Sequence, residues 1–306
     1  MRDSFISFIT KQALEDSNVM LITADLGFGI FDNYRKILPK QFLNVGIAEQ
    51  NMTSIATGLA LEGHKVYTYS IGNFSTLRCL EQIRNDICYH NQNVTIITMG
   101  GGFSYGQLGI THFATEDLSI MRTLPNMSIF VPSDSWQIDS VMPELIKIKT
   151  PKYIRLDKSY AGTERIENNY IGTPIRAFDG DDAVLFAIGG IGSSAIESAI
   201  KLRKKGISLR VVIYNFLKPI DEKEIINAIE TSGIIFTLEE NTVIGGFGSA
   251  IADVCLRSKL KPKIFKSFGI NDNFPEYVGD QNYLRKYFKL DSDNLSNQIE
   301  QILNRR

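Results

Sequence analysis

The stretch Asn44-Val45-Gly46-Ile47-Ala48-Glu49-Gln50-Asn51-Met52 joins two kinds of hydrophobic pattern. Before it, Phe42 to Val45 reads as a short strand. After it, Met52, Ala56 and Leu59 recur at three- and four-residue steps up to Gly63, the spacing of a helix with one apolar face. The turn between them falls on Gly46. Counting back three residues from Met52 reaches Glu49, so this carboxylate belongs to the first helical turn and to its apolar side. A Glu in a first turn complements the helix dipole and is commonly solvated. The neighbours argue otherwise, because no other charge occurs between Lys40 and Glu62. An apolar setting disfavours the ionised form of a carboxylate. A Glu that can share a proton near neutral pH is what acid–base chemistry requires.

Strand patterns alternating with helix patterns recur along the whole chain. Val19 to Ala24, Lys65 to Tyr69, Val94 to Met99, Ser128 to Val131 and Lys152 to Leu156 read as short buried strands. The rhythm predicts an α/β fold of two doubly wound domains with mainly parallel sheets. Asp157 to Asp182 is polar and irregular. It places a first domain at residues 1–157, a linker at 158–181 and a smaller second domain at 182–306. In the second domain, strands are expected at Ala183 to Ile188, Ile207 to Ile213 and Ile234 to Leu238. Gly189-Gly190-Ile191-Gly192 looks like a phosphate loop there, but a glycine cluster alone is weak evidence.

Composition narrows the function classes. With 306 residues there is chain enough for two cores. Its 33 basic and 34 acidic residues give no surface suited to nucleic acid or anionic lipid. The first helix, with Phe5, Phe8 and Ile9, is interrupted by Lys11 and Glu15 and is not a signal peptide. No apolar run approaches the roughly 18 residues a membrane span needs. Cys79, Cys88 and Cys255 form no CxxC pair, which argues against a disulfide framework or zinc site and makes the cytoplasm the expected compartment.

Loops after the carboxyl ends of parallel strands carry ligand sites. Asp25, in Asp25-Leu26-Gly27-Phe28-Gly29, is one candidate, although Asp before Gly is also a common turn residue. Phe74 precedes a helix face of Leu80, Ile83 and Ile87. Its ring is either a hydrophobic plug or a platform for a flat heterocycle. His112 follows the glycine-rich run Gly100 to Gly109 and precedes a helix bearing Ile120, Met121 and Leu124, where an imidazole can face a cleft. His64 and His90 sit in polar turns. Arg155 ends the last strand of the domain, either as an anion-binding group or as a surface cation paired with an acid. Ser133 is the expected N-cap of a helix with Trp136 and Ile138 on its buried side.

Val45 to Met52 resembles the glutamate motif of the pyrimidine-binding domain in transketolase-like, thiamine-diphosphate enzymes. Further segments carry the resemblance: Phe74, Arg78 and Glu81-Gln82-Ile83-Arg84; Thr111-His112 with Glu116-Asp117; and Glu239-Glu240-Asn241 before Gly245-Gly246-Phe247-Gly248-Ser249-Ala250. It extends from about Val19 to the end of the chain. It implies that Glu49 hydrogen-bonds the aminopyrimidine of thiamine diphosphate, that Phe74 stacks on that ring, and that Asp25 lies near the cofactor. It implies that His112 faces the substrate and that Arg155 holds a sugar phosphate. Three residues depart from the pattern: Leu80 for an aromatic, Leu108 for an acid used on sugar hydroxyls, and Asn241 for a His.

The family also needs a Gly-Asp-Gly and a later Asn to hold the diphosphate through Mg²⁺. The nearest match, Gly180-Asp181-Asp182, precedes a strand instead of following one. The expectation is therefore a split transketolase, with this chain as its C-terminal subunit. A separate N-terminal-half subunit would carry the Mg²⁺ ligands, with none expected from this chain, in an α2β2 assembly with a homodimer contact through this chain. The activity implied is transfer of a two-carbon unit from a ketose or its phosphate to an aldose. Two alternatives stand beside it: the β subunit of a 2-oxo acid dehydrogenase E1 component, and a non-catalytic regulatory partner.

Overall fold

The computed structural model describes residues 1–166 and 171–304. The first domain contributes β1 (Val19–Thr23), β2 (Phe42–Asn44), β3 (Lys65–Ile71), β4 (Val94–Met99), β5 (Ser128–Phe130) and β6 (Lys152–Leu156). The second contributes β7 (Ile175–Phe178), β8 (Ala183–Ile188), β9 (Leu209–Tyr214), β10 (Phe216–Lys218), β11 (Ile234–Thr242) and β12 (Ile264–Ile270). They form a seven-stranded sheet in the order β10-β5-β6-β4-β3-β1-β2 and a five-stranded sheet in the order β12-β11-β8-β9-β7. Among the described residues, every pairing of these strands is parallel except β10 with β5 and β7 with β9, each at a sheet edge. The expected pair of mainly parallel α/β domains is what the chain forms.

Local sequence accounts for this order. Val94-Thr95-Ile96-Ile97-Thr98-Met99 and Ala183-Val184-Leu185-Phe186-Ala187-Ile188 are buried at every position, as strands covered by helices on both faces must be. The helix Arg2–Glu15 lays Phe5, Ile9 and Ala13 inward, and Phe5 stacks on Tyr69 with ring centroids 6.3 Å apart. The helix Glu49–Leu61 buries Met52 and Ala56 together with Glu49. One apolar cluster continues across the domain boundary and contains Leu118 and Met121 of the first domain with Val184, Phe186 and Phe247 of the second.

Three expectations need correction. The linker assigned to 158–181 contains β7, whose Ile175 and Arg176 pair with Ile213 and Val212; residues 167–170 of that linker lie outside the described residues. The second domain also does not keep to itself. β10 leaves it and pairs antiparallel with β5 of the first sheet. Finally, the helix after β5 starts at Trp136 with Ser135 as its N-cap. Ser133 is buried just before it, its N–H donating to Gln137 Oε1 at 2.7 Å.

Candidate active site

The site forms at the carboxyl end of the first sheet, from the loops after β2, β3 and β4. Asn44 shapes the first of these. Its Oδ1 accepts the Asp25 N–H at 2.8 Å and the Gly46 N–H at 3.1 Å. Gly46 turns the chain at φ 76°, in the left-handed region that glycine enters without steric cost. The helix then begins at Glu49, whose carboxylate lies on the apolar side and is 2% exposed. Neighbouring Ile47 is 80% exposed.

The charge-free setting expected for Glu49 is not what the fold builds. Arg78, from the loop after β3, donates Nη1–H to Glu49 Oε2 at 2.7 Å. The same guanidinium lies over the Phe74 ring, 4.2 Å from its centroid. Phe74 and Arg78 stand four positions apart across a tight turn, so one loop supplies both ring and cation. His112 arrives from the loop after β4 and meets the Phe74 ring edge-on at 5.0 Å between centroids. Its Nδ1 is 3.0 Å from Thr111 Oγ1, and Asn73 Nδ2 ties the Thr111 carbonyl at 2.8 Å. Partial burial, and then the Arg78 charge, push the imidazole below its ordinary 6.5. Neutral His112 is thus favoured near pH 7.

Glu49, Phe74 and His112 therefore come together. Asp25 stands one loop away, at φ 53°, its Oδ1 accepting from Asn44 Nδ2 at 3.3 Å. Arg155 does not join them. It is 4% exposed. Its guanidinium lies 3.4 Å from Asp117 Oδ2 and donates to the Glu240 carbonyl at 2.8 Å and the Ala114 carbonyl at 3.3 Å. These partners hold it inside the protein, at the seam of the two domains.

Other cations do face open space. A cavity of about 240 Å³ beyond β4 and β6 is lined by Arg2 and Lys158 together with Asp3 and Asp157, and Arg2 Nε is paired with Asp3 Oδ1 at 3.0 Å. Lys158 Nζ lies 3.6 Å from the Tyr105 ring centroid. Arg2 and Lys158 are separated by most of the domain in sequence, so spacing gave no hint of them. Arg78 had a signal, its four-residue offset from Phe74. Of the three departures, Leu80 packs against the core, Leu108 is exposed, and buried Asn241 donates Nδ2–H to Ser119 Oγ at 2.9 Å in the domain seam.

The geometry tests an aminopyrimidine directly. A guanidinium is flat and carries N–H donors, and here it makes a face contact with Phe74 and a hydrogen bond to Glu49. Those are the two kinds of contact, a ring face and a hydrogen bond to a carboxylate, that an aminopyrimidine would need. Among the described residues, no group of three or more His, Cys, Asp and Glu could hold a metal ion.

The chain is two mainly parallel α/β domains, with a buried first-turn Glu and an aromatic ring at the strand ends of the first sheet. The transketolase pyrimidine-binding domain model matches residues 1–163, and the transketolase C-terminal domain model matches residues 175–295. The chain belongs to the transketolase family, a group of thiamine-diphosphate-dependent transferases. It is 31% identical over 299 residues to one of the subunits of an apulose-4-phosphate transketolase from Phocaeicola vulgatus, covering 96% of this chain and 94% of that one. It is 33% identical to a putative transketolase C-terminal section of Methanocaldococcus jannaschii, covering 98% and 95%. A solved split-gene transketolase, described as an inactive β4 tetramer, superposes with a TM-score of 0.86 at 31% identity, covering 99% of this chain and 97% of that one. The chain thus corresponds in extent and fold to the C-terminal subunit of a split transketolase, a transferase. Among the described residues, no helix is long and apolar enough to cross a membrane.

Proposed function

We propose that this chain supplies the pyrimidine half of a thiamine-diphosphate site and that a separate N-terminal-half subunit supplies the diphosphate half with its Mg²⁺ ligands. The observation that carries this is the convergence of Glu49, Phe74 and His112 around a place already filled by a flat N–H donor. When bound, the cofactor supplies the electron sink that lets a two-carbon unit leave a ketose and join an aldose.

The residues of this chain would do the rest. Glu49 would hold a proton in a hydrogen bond to the aminopyrimidine ring. Phe74 would stack on the ring, with the Arg78 guanidinium moving aside into solvent, which its 44% side-chain exposure permits. Asp25 would act through Asn44 by fixing the turn before Glu49. Neutral His112 would orient a substrate hydroxyl or carry its proton. An α2β2 assembly is proposed, with two copies of each half.

Reconstitution tests this. The chain is mixed with an N-terminal half bearing the Gly-Asp-Gly and Asn elements, thiamine diphosphate and Mg²⁺, and two-carbon transfer from ketose phosphates to aldoses is assayed. Transfer by the mixture and by neither half alone is expected. A mixture that decarboxylates 2-oxo acids and acylates a lipoyl group instead would favour the E1 alternative. A mixture that binds cofactor without turnover would favour the regulatory one.

A further inference from the structure

The loop that carries His112 is held from the other domain. An antiparallel pair closes its base, with Gly102 N–H donating to the Ala114 carbonyl at 2.9 Å and Ala114 N–H to the Gly102 carbonyl at 3.0 Å. The second domain grips both arms of that base. On one arm, Glu240 Oε1 accepts the Phe103 N–H at 2.6 Å. On the other, Thr242 N–H donates to the Thr115 carbonyl at 2.7 Å. Farther along the loop, the Gly279 N–H reaches the Gly106 carbonyl at 3.3 Å. A Cβ on Gly106 would collide with the Gly279 carbonyl oxygen, so the two backbones are in close contact. Phe103 and Phe113 bracket the loop and pack in one apolar cluster with Ile270 and Leu284 of the second domain.

Glu240 is the hub of this grip. Its carboxylate is paired with Arg285, and Gln281 Nε2 donates to its Oε1 at 2.9 Å. Gln281 and Ser104 also reach Asp157 Oδ1, at 3.1 and 2.8 Å. Glu240 and Arg285 are 3% and 4% exposed. A buried ion pair contributes little net stability over an apolar pair of similar volume. What an apolar pair cannot supply is an acceptor for the Phe103 N–H.

We propose that Glu240, held by Arg285, is a positioning residue for catalysis: the second domain uses it to fix the loop that presents His112 to the substrate. This rests on His112 acting as assigned under the proposed function. It places no contact between Glu240 and substrate or cofactor.

The test compares two double variants with wild type. Glu240→Leu with Arg285→Met removes the ion pair and the acceptor while keeping the seam packed. Glu240→Gln with Arg285→Met removes the ion pair but keeps an oxygen for the Phe103 N–H. Hydrogen exchange is followed over residues 103–114 in the free chain. Exchange there at least tenfold faster is expected in the Leu/Met variant, with the Gln/Met variant closer to wild type. In the complex reconstituted with its partner half, the Leu/Met variant is expected to lose 10- to 100-fold in kcat/KM for sugar substrates. Its thiamine-diphosphate affinity is expected to stay within about twofold of wild type, and Gln/Met to recover most of the loss. Unchanged loop exchange in Leu/Met, or equal behaviour of the two variants, would overturn the proposal. Loss of cofactor affinity in step with turnover would overturn it too, as the sign of general collapse. If wild type reconstitutes no transfer, the functional reading fails on its own, and the exchange measurement still decides the loop's anchorage.

Discussion

Replacing Glu49 by Gln separates a structural carboxylate from a chemical one. Among the described residues, the charged partner of Glu49 is Arg78, at 2.7 Å. The Glu49 side chain is 3% exposed and that of Arg78 is 44% exposed. Gln keeps the volume and an oxygen for the guanidinium, and Arg78 can turn to water, so no cation is trapped. A pair with one solvated member is worth at most about 1 kcal/mol, and the melting temperature should move by only a few degrees. The chemical cost is of another size. Loss of a positioned acid–base group slows turnover by roughly 100-fold or more, about 2.7 kcal/mol or more of activation free energy. The assay is steady-state two-carbon transfer by the reconstituted complex at saturating cofactor, paired with thermal melts of each variant. Turnover within threefold of wild type at saturating cofactor would remove Glu49 from its role. A melt lowered by more than about 10 °C would show that the side chain's importance lies in folding.

Phe74→Ala should weaken thiamine-diphosphate binding to the complex by roughly 2- to 10-fold, the scale of one aromatic contact; isothermal titration reads it, and unchanged affinity would leave Phe74 a plug. Because burial and then Arg78 hold His112 below 6.5, NMR titration of its imidazole in the cofactor-free chain should place the midpoint below pH 6.5 and move it upward in Arg78→Met; an unmoved midpoint would refute the Arg78 contribution. Burial pushes the Glu239 carboxyl from 4.5 up to about 7 even though it accepts the Phe247 and Gly248 N–H groups. A raised folded-state value means stability is full below about pH 4.5 and is lost as pH rises through about 7, by at most about 3 kcal/mol. Denaturant midpoints of wild type minus Glu239→Gln between about pH 4.5 and 8 should show that fall, and a flat difference would refute it. The free chain should bind thiamine diphosphate poorly even with Mg²⁺; tight calorimetric binding would contradict the division of the site between two subunits.

Much of the fold was legible because parallel strands buried on both faces leave continuous apolar runs, and Val94 to Met99 and Ala183 to Ile188 are such runs. Glu49 was legible for a related reason, its register with Met52 and Ala56. What escaped was everything created by chain segments meeting across the fold. Arg78 reaches Glu49 from a different loop, and nothing in the apolar neighbourhood of residues 45–48 announces it. Arg155 reads as a surface cation at a strand end. Asp117 and the Ala114 carbonyl of its own domain and the Glu240 carbonyl of the second hold it inward. β7 was hidden in a polar stretch because an edge strand with one exposed face lacks an apolar run: of Ile175–Phe178 only Ile175 is fully buried. β10 is three residues long, too short for periodicity to register.

The crossing of Phe216–Lys218 into the first sheet bears on how the chain can be cut. Its three residues are the outermost strand beside Ser128–Phe130. A fragment ending at residue 163, where the first family match stops, would keep the loops that carry Glu49, Phe74 and His112 yet expose a raw backbone margin, the kind that invites self-association. Dissecting this protein into free-standing halves therefore means grafting that short ribbon back onto the front piece, or supplying the rear piece alongside it.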